Sequence, residues 1–171
     1  ADIVRLEIAV ENAHPLEWLT LQDCSRKIFW GNRSQKEQFA GIGVALEVKD
    51  GKDSYEKTLL TVSNYLQNSP KAVRFFGGMR FDSKATKSTE WQDWGTAHFT
   101  LSMVELSVVD EKAMLACHIY YGEDIHEKLQ ILQKMLEYVR VEEISIPDSP
   151  LIRLERHDLP EYRQWCRLVE Q

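Results

Sequence analysis

Val73-Arg-Phe-Phe-Gly-Gly-Met-Arg-Phe-Asp82 is the stretch whose reading decides the fold. Val73, Phe75, Gly77, Met79 and Phe81 fall on one parity; Arg74, Phe76, Gly78, Arg80 and Asp82 fall on the other. That alternation predicts a strand with one apolar face. Two adjacent glycines inside a strand cost backbone entropy and pack no side chain. They point to a bulge, or to a second backbone or ring pressed close. A phosphate cradle is disfavoured, because no helix start follows as a dinucleotide or P-loop turn requires.

Working outward, residues 3–10 alternate cleanly, with Val4, Leu6, Ile8 and Val10 on one face and Arg5 and Glu7 free to meet solvent on the other. Pro15 opens a short helix, with Leu16 and Leu19 expected inward and Trp18 partly covering them. Residues 27–30 and 39–48 read as two strands of a hairpin joined by the polar segment 33–37. Asp53 and Glu56 form a capping pair for a helix whose Tyr55, Leu59, Val62 and Leu66 repeat at helical spacing, and Asn68-Ser-Pro70 stops it. Residues 83–94 read as a polar surface loop whose Trp91 and Trp94 lid the core.

The next segment changes parity. Phe99, Leu101 and Met103 are odd-numbered while Val104, Leu106 and Val108 are even, so a bulge or bend is expected near Met103. Residues 113–121 form an apolar strand holding Cys117 and His118. Ile125, Leu129, Leu132, Leu136 and Val139 then give an amphipathic helix. Residues 142–156, with Pro147 and Pro150, read as a linker, and a helix following Asp158 sets Tyr162, Trp165, Cys166 and Val169 on one face. The expected class is α+β: an antiparallel sheet of roughly six or more strands with helices packed on one face.

A chain of 171 residues suits one domain with a real core, and 43% hydrophobic with 28% charged residues is the balance of a globular protein. A net charge of -6 argues against nucleic acid or anionic lipid as the main partner. No apolar run approaches a membrane span, and the first residues lack the pattern of a signal peptide. Cys24, Cys117 and Cys166 are widely spaced and unclustered, which reads as reduced thiols in a cytoplasmic protein.

Chemistry-bearing patterns are few. Gly41-x-Gly43 sits mid-strand, and Gly51-Lys52 lacks the rest of a P-loop. His118 reads as a satisfied sheet histidine, since no Ser, Cys or carboxylate partner is identifiable. The pairs Glu123-Asp124 and Glu142-Glu143 read as solvated acids. No residue is therefore nominated as catalytic, cofactor-binding or metal-ligating.

Phe75-Phe-Gly-Gly-Met-Arg-Phe-Asp82 resembles the F-G-G-x-x-F-D signature of chorismate-utilising enzymes, above all the isochorismate synthases of menaquinone biosynthesis. Pro15-Leu-Glu-Trp-Leu19, Lys27-Ile-Phe-Trp30 and Phe39-Ala-Gly-Ile-Gly43 are similar to the segments that precede it in that family. Phe99-Thr-Leu-Ser-Met-Val-Glu-Leu106 resembles the family's F-x-L-P-R-x-E-L, with Ser102 and Met103 in place of Pro-Arg. Whatever that Pro-Arg does in relatives is not carried over.

The resemblance implies half of an αββα chorismate-binding sandwich. Residues 1–141 would be an N-terminal scaffold domain, and 142–171 a linker and helix leading toward a catalytic half absent from this chain. It implies a parent enzyme that converts chorismate to isochorismate with magnesium, while this chain alone is inactive, holds no cofactor and has the catalytic half as its partner. Chorismate would be met only in the parent. A salicylate or anthranilate synthase portion, and a stand-alone binding module, remain open alternatives.

Overall fold

The computed structural model describes residues 3–50, 55–82 and 89–139. In chain order the elements are β1 (Ile3–Val10), α1 (Pro15–Thr20), β2 (Lys27–Gly31), β3 (Glu37–Ile42), β4 (Leu46–Asp50), α2 (Tyr55–Gln67), β5 (Phe76–Met79), β6 (Ala97–Leu101), β7 (Val104–Val109), β8 (Lys112–Tyr120) and α3 (Ile125–Glu137). A 3-10 turn, Thr89–Trp94, precedes β6. The eight strands form two sheets, ordered β1-β8-β7-β3-β2 and β4-β6-β5, and every pairing is antiparallel. The α+β, antiparallel architecture is the one expected. The proposed linker, the helix after Asp158 and Asp53 of the capping pair lie outside the described residues.

The division into two sheets arises from a shared bend. The expected single strand 39–48 is broken after Ile42, where Gly43 takes φ of 64°, a backbone region that side chains disfavour. The strand that switches parity is broken at the same level, between Leu101 and Val104. Met103 N–H donates to the Ile42 carbonyl at 3.1 Å, and Ala45 N–H donates to the Leu101 carbonyl at 2.9 Å. One two-stranded ribbon therefore folds over, contributing β3 and β7 to the larger sheet and β4 and β6 to the smaller. The parity change at Met103 is this fold seen in sequence.

Both α1 and α3 pack on one face of the larger sheet. Trp18, Leu106, Leu115, Cys117, Leu132 and Val139 belong to their common core. Within α1 the burial differs from expectation: Trp18 and Leu19 are inside while Leu16 is exposed. A six-residue helix has room for one inward edge, and the large indole takes it. In α3, Asp124 caps the first turn by accepting from His126 N–H. Lys128 is buried and pairs with Glu123 at 2.8 Å, while the other oxygen of Glu123 accepts from Tyr120 N–H. That clamp holds α3 against the end of β8.

Helix α2 covers the smaller sheet, and Ile3, Val73, Leu101, Tyr65 and Phe75 form a second core. β5 pairs with β6 so that Gly77 lies opposite Phe99. A Cβ on Gly77 would overlap the His98 carbonyl oxygen and sit 2.7 Å from Phe99 Cα. The close backbone anticipated for the double glycine is therefore β6. Gly78 faces outward, with the Trp94 ring 4.0 Å from where its Cβ would be.

Candidate functional site

Two polar groupings flank the signature strand. The first lies on the larger sheet's face away from α1 and α3. Arg5 on β1, His118 on β8 and Glu105 on β7 are neighbours across the ladder. Arg5 was expected in solvent, but its side chain is 3% exposed. Its guanidinium donates to Glu7 at 2.8 Å, to Glu105 at 3.1 Å and to His118 Nε2 at 2.8 Å. Arg74, two residues before β5, donates to the same Glu105 oxygen at 2.9 Å and stacks 3.8 Å over the Phe39 ring. One buried carboxylate thus ties the segment entering the signature strand to the larger sheet.

The protonation of this group follows from its bonds. An arginine can only donate, so His118 Nε2 accepts, and Nδ1–H donates to the Ser102 carbonyl at 2.8 Å. Burial, and then the nearby Arg5 charge, lower the His118 pKa to about 4. Burial holds the Glu105 carboxyl above its ordinary value despite two guanidiniums beside it. His118 is the satisfied sheet histidine read from the sequence. With both ring nitrogens engaged it has nothing to offer a substrate.

The second grouping is a pocket of ≈ 420 Å³ where the two sheets meet, walled by Phe29, Phe76, Trp94 and Thr100 with Arg26 and Lys27 alongside. His98, on β6, also lines it and is bonded through Nε2 to Glu47 at 2.7 Å. Glu47 in turn faces Arg26 at 3.5 Å. The edge-on Trp94 ring is 4.9 Å from His98. A carboxylate–imidazole pair is the form of an acid–base couple, but His98 Nδ1 is buried and without a hydrogen bond. Its Nε2 is taken up by Glu47. The pair joins β4 to β6 at the pocket wall.

Among the described residues no three His, Cys, Asp or Glu side chains converge so as to hold a metal ion. Cys24 and Cys117 are free thiols. Burial pushes Cys117 up to about 11, which makes it a poor nucleophile. No helix of the described residues is long and apolar enough to cross a membrane. Trp94, expected as a lid on the core, instead walls the pocket and is partly exposed. Neither polar grouping was nominated from the sequence. The available signal was Glu105, a single carboxylate inside the apolar run Val104–Val109.

The fold places the chain among known proteins. It aligns with the solved structure of MenF, the menaquinone-specific isochorismate synthase from Escherichia coli, with a TM-score of 0.56 and 17% identity, over 98% of this chain and 36% of that one. It is 23% identical to isochorismate synthase 2, chloroplastic, of Arabidopsis thaliana, over 92% of this chain and 31% of that protein. It is 20% identical to the chloroplastic isochorismate synthase of Catharanthus roseus, over 74% of this chain and 23% of that protein. The chain therefore spans about a third or less of the length of these relatives. The family model described as chorismate binding enzyme matches residues 1–171, and the chain belongs to that family.

Proposed function

We propose that this chain is the N-terminal scaffold of an isochorismate synthase and gives no group to the chemistry. The observation that carries the reading is coverage. Similarity to an isochorismate synthase runs along 92% of this chain yet occupies 31% of that relative. In the parent, water adds to the chorismate ring as a hydroxyl group leaves, giving isochorismate, which we assign to menaquinone biosynthesis from the F-G-G-x-x-F-D resemblance. We place the protein in the cytoplasm; its two described free thiols suit a reducing compartment.

The partner in this reading is the catalytic remainder of the same polypeptide, which would hold chorismate and magnesium. We place the magnesium with that remainder; among the described residues no three His, Cys, Asp or Glu side chains gather on one point. What they do is positional. The Arg74–Glu105 bond fixes the approach to β5, and β5 is an edge strand among the described residues, ready to accept a neighbour. The test is product chromatography with a protein that continues this chain to the length of its relatives, supplied with chorismate and magnesium. Isochorismate is expected; salicylate or anthranilate as the product would replace the reading with that of a sister enzyme.

A further inference from the structure

The larger sheet is incompletely roofed. Helix α1 lies over β2, β3 and β7, and α3 over β8, but no helix packs closely on β1 among the described residues. On the roofed face of β1, Val4 is 44% and Ile8 42% exposed, although both belong to the apolar parity. Beside them runs a groove of ≈ 670 Å³ lined by Ile8, Val10, Leu136 and Val139, with Glu11 and Glu137 at its margin. Along α3, Ile125 and Leu129 of the expected apolar stripe are exposed as well.

We infer that the groove between α3 and β1 is the docking site of residues 158–170 of this same chain. Three observations select this occupant. The apolar face Tyr162, Trp165, Cys166 and Val169 has the i, i+3, i+4, i+7 spacing of a helix that needs a groove. Arg163 and Arg167, one turn apart beside that face, complement the acidic margin of Glu11 and Glu137. The chain also leaves α3 at the groove itself, since Val139 is one of its walls.

The dimensions agree. A helix over 160–170 runs about 16 Å, within the length of about 26 Å expected for an eight-residue strand such as β1. Helices pack about 8–10 Å apart, about two strand spacings of about 4.8 Å, so one beside α3 comes to lie along the outer side of the edge strand β1, where Val4 and Ile8 are exposed. The intervening residues 140–157 are long enough to reach either end of the groove, since extended chain spans about 3.3 Å per residue. The docking is independent of the reaction catalysed by any longer protein.

The test uses the 171-residue chain with Cys24→Ser, which leaves Cys166 as the native thiol to be linked, since Cys117 is buried. Ile8→Cys is introduced in the groove, and Ser34→Cys in the remote β2–β3 turn serves as control. A short bismaleimide is applied to each, and linked peptides are identified by mass spectrometry. A docked segment acts at roughly mM effective concentration, so the intrachain link from position 8 to Cys166 is expected about tenfold above that from position 34. Equal yields from both positions, no intrachain link from position 8, or links only between two chains would overturn the proposal, the last assigning the groove to a second copy. If Ile8→Cys does not fold, NOEs between the Ile8 methyls and the Trp165 ring in the unsubstituted chain decide the matter. Their presence supports docking and their absence overturns it.

Discussion

At the residue scale, buried charge and close backbone contact set the sharpest expectations. Glu105 Oε1 serves two guanidiniums, one of them almost wholly buried. Glu105→Ala leaves the buried Arg5 guanidinium with only the half-exposed Glu7 as a carboxylate partner, so a loss of about 3 kcal/mol is expected in urea titrations. Arg74 is more exposed, and Arg74→Ala should cost less. The two glycines of the signature separate in the same way. Gly77→Ala forces a methyl into the β6 backbone and should cost at least about 1–3 kcal/mol. Gly78→Ala meets only ordinary contact with Trp94 and should stay within about 1 kcal/mol of the parent chain.

His118 carries a pH dependence whose sign follows from its surroundings. Its folded pKa of about 4 lies below the ordinary 6.5, so between those values the unfolded chain binds more protons than the folded one. Stability contributed by this group is whole above 6.5 and is lost as pH falls toward 4. The full loss is about 3 kcal/mol. Glu105, with its raised pKa, acts in the opposite sense, losing stability as pH rises through its folded value. Comparison with His118→Gln isolates the histidine: the difference in stability between the two proteins should shift by about that amount between pH 7 and 4. A constant difference would show that His118 is not held neutral.

At the element scale, the β7–β8 hairpin is closed by Asp110 and Glu111, with φ of 46° and 68°. Two consecutive left-handed residues match the type I′ turn that suits twisted strands, where glycine is favoured at the second position. Glu111→Gly should therefore raise stability by about 1 kcal/mol, read from the thermal midpoint. The elements themselves were largely legible. Alternation marked β1 and the strand through Cys117, helical spacing marked α2 and α3, and the parity change at Met103 marked the bend. What alternation could not show was partnership across sheets. Arg5 and Glu7 look solvent-facing in β1 alone, and Arg5 becomes buried only when Glu105 and Arg74 arrive from positions 100 and 69 residues away. The break after Ile42 was hidden because residues 39–48 keep one parity through Gly43, and only its positive φ reveals the turn.

At the scale of the whole molecule, a ribbon bent at Gly43 and Met103 builds two sheets, and a buried carboxylate binds the approach to β5 onto the larger one. Among the described residues that leaves β5 as an open edge and Phe81, the second aromatic residue of the signature, fully exposed. On the proposed reading, that surface is where further polypeptide would pack. The pocket around His98 stayed illegible in the sequence because its walls come from β2, β5, β6 and the 3-10 turn, which only the fold brings together. The most direct test of the scaffold reading is to incubate the purified 171-residue chain with chorismate and magnesium and to follow isochorismate by chromatography. The account predicts no conversion by this chain, with isochorismate appearing when the protein is continued to the length of its relatives; magnesium-dependent isochorismate from the 171 residues alone would contradict it.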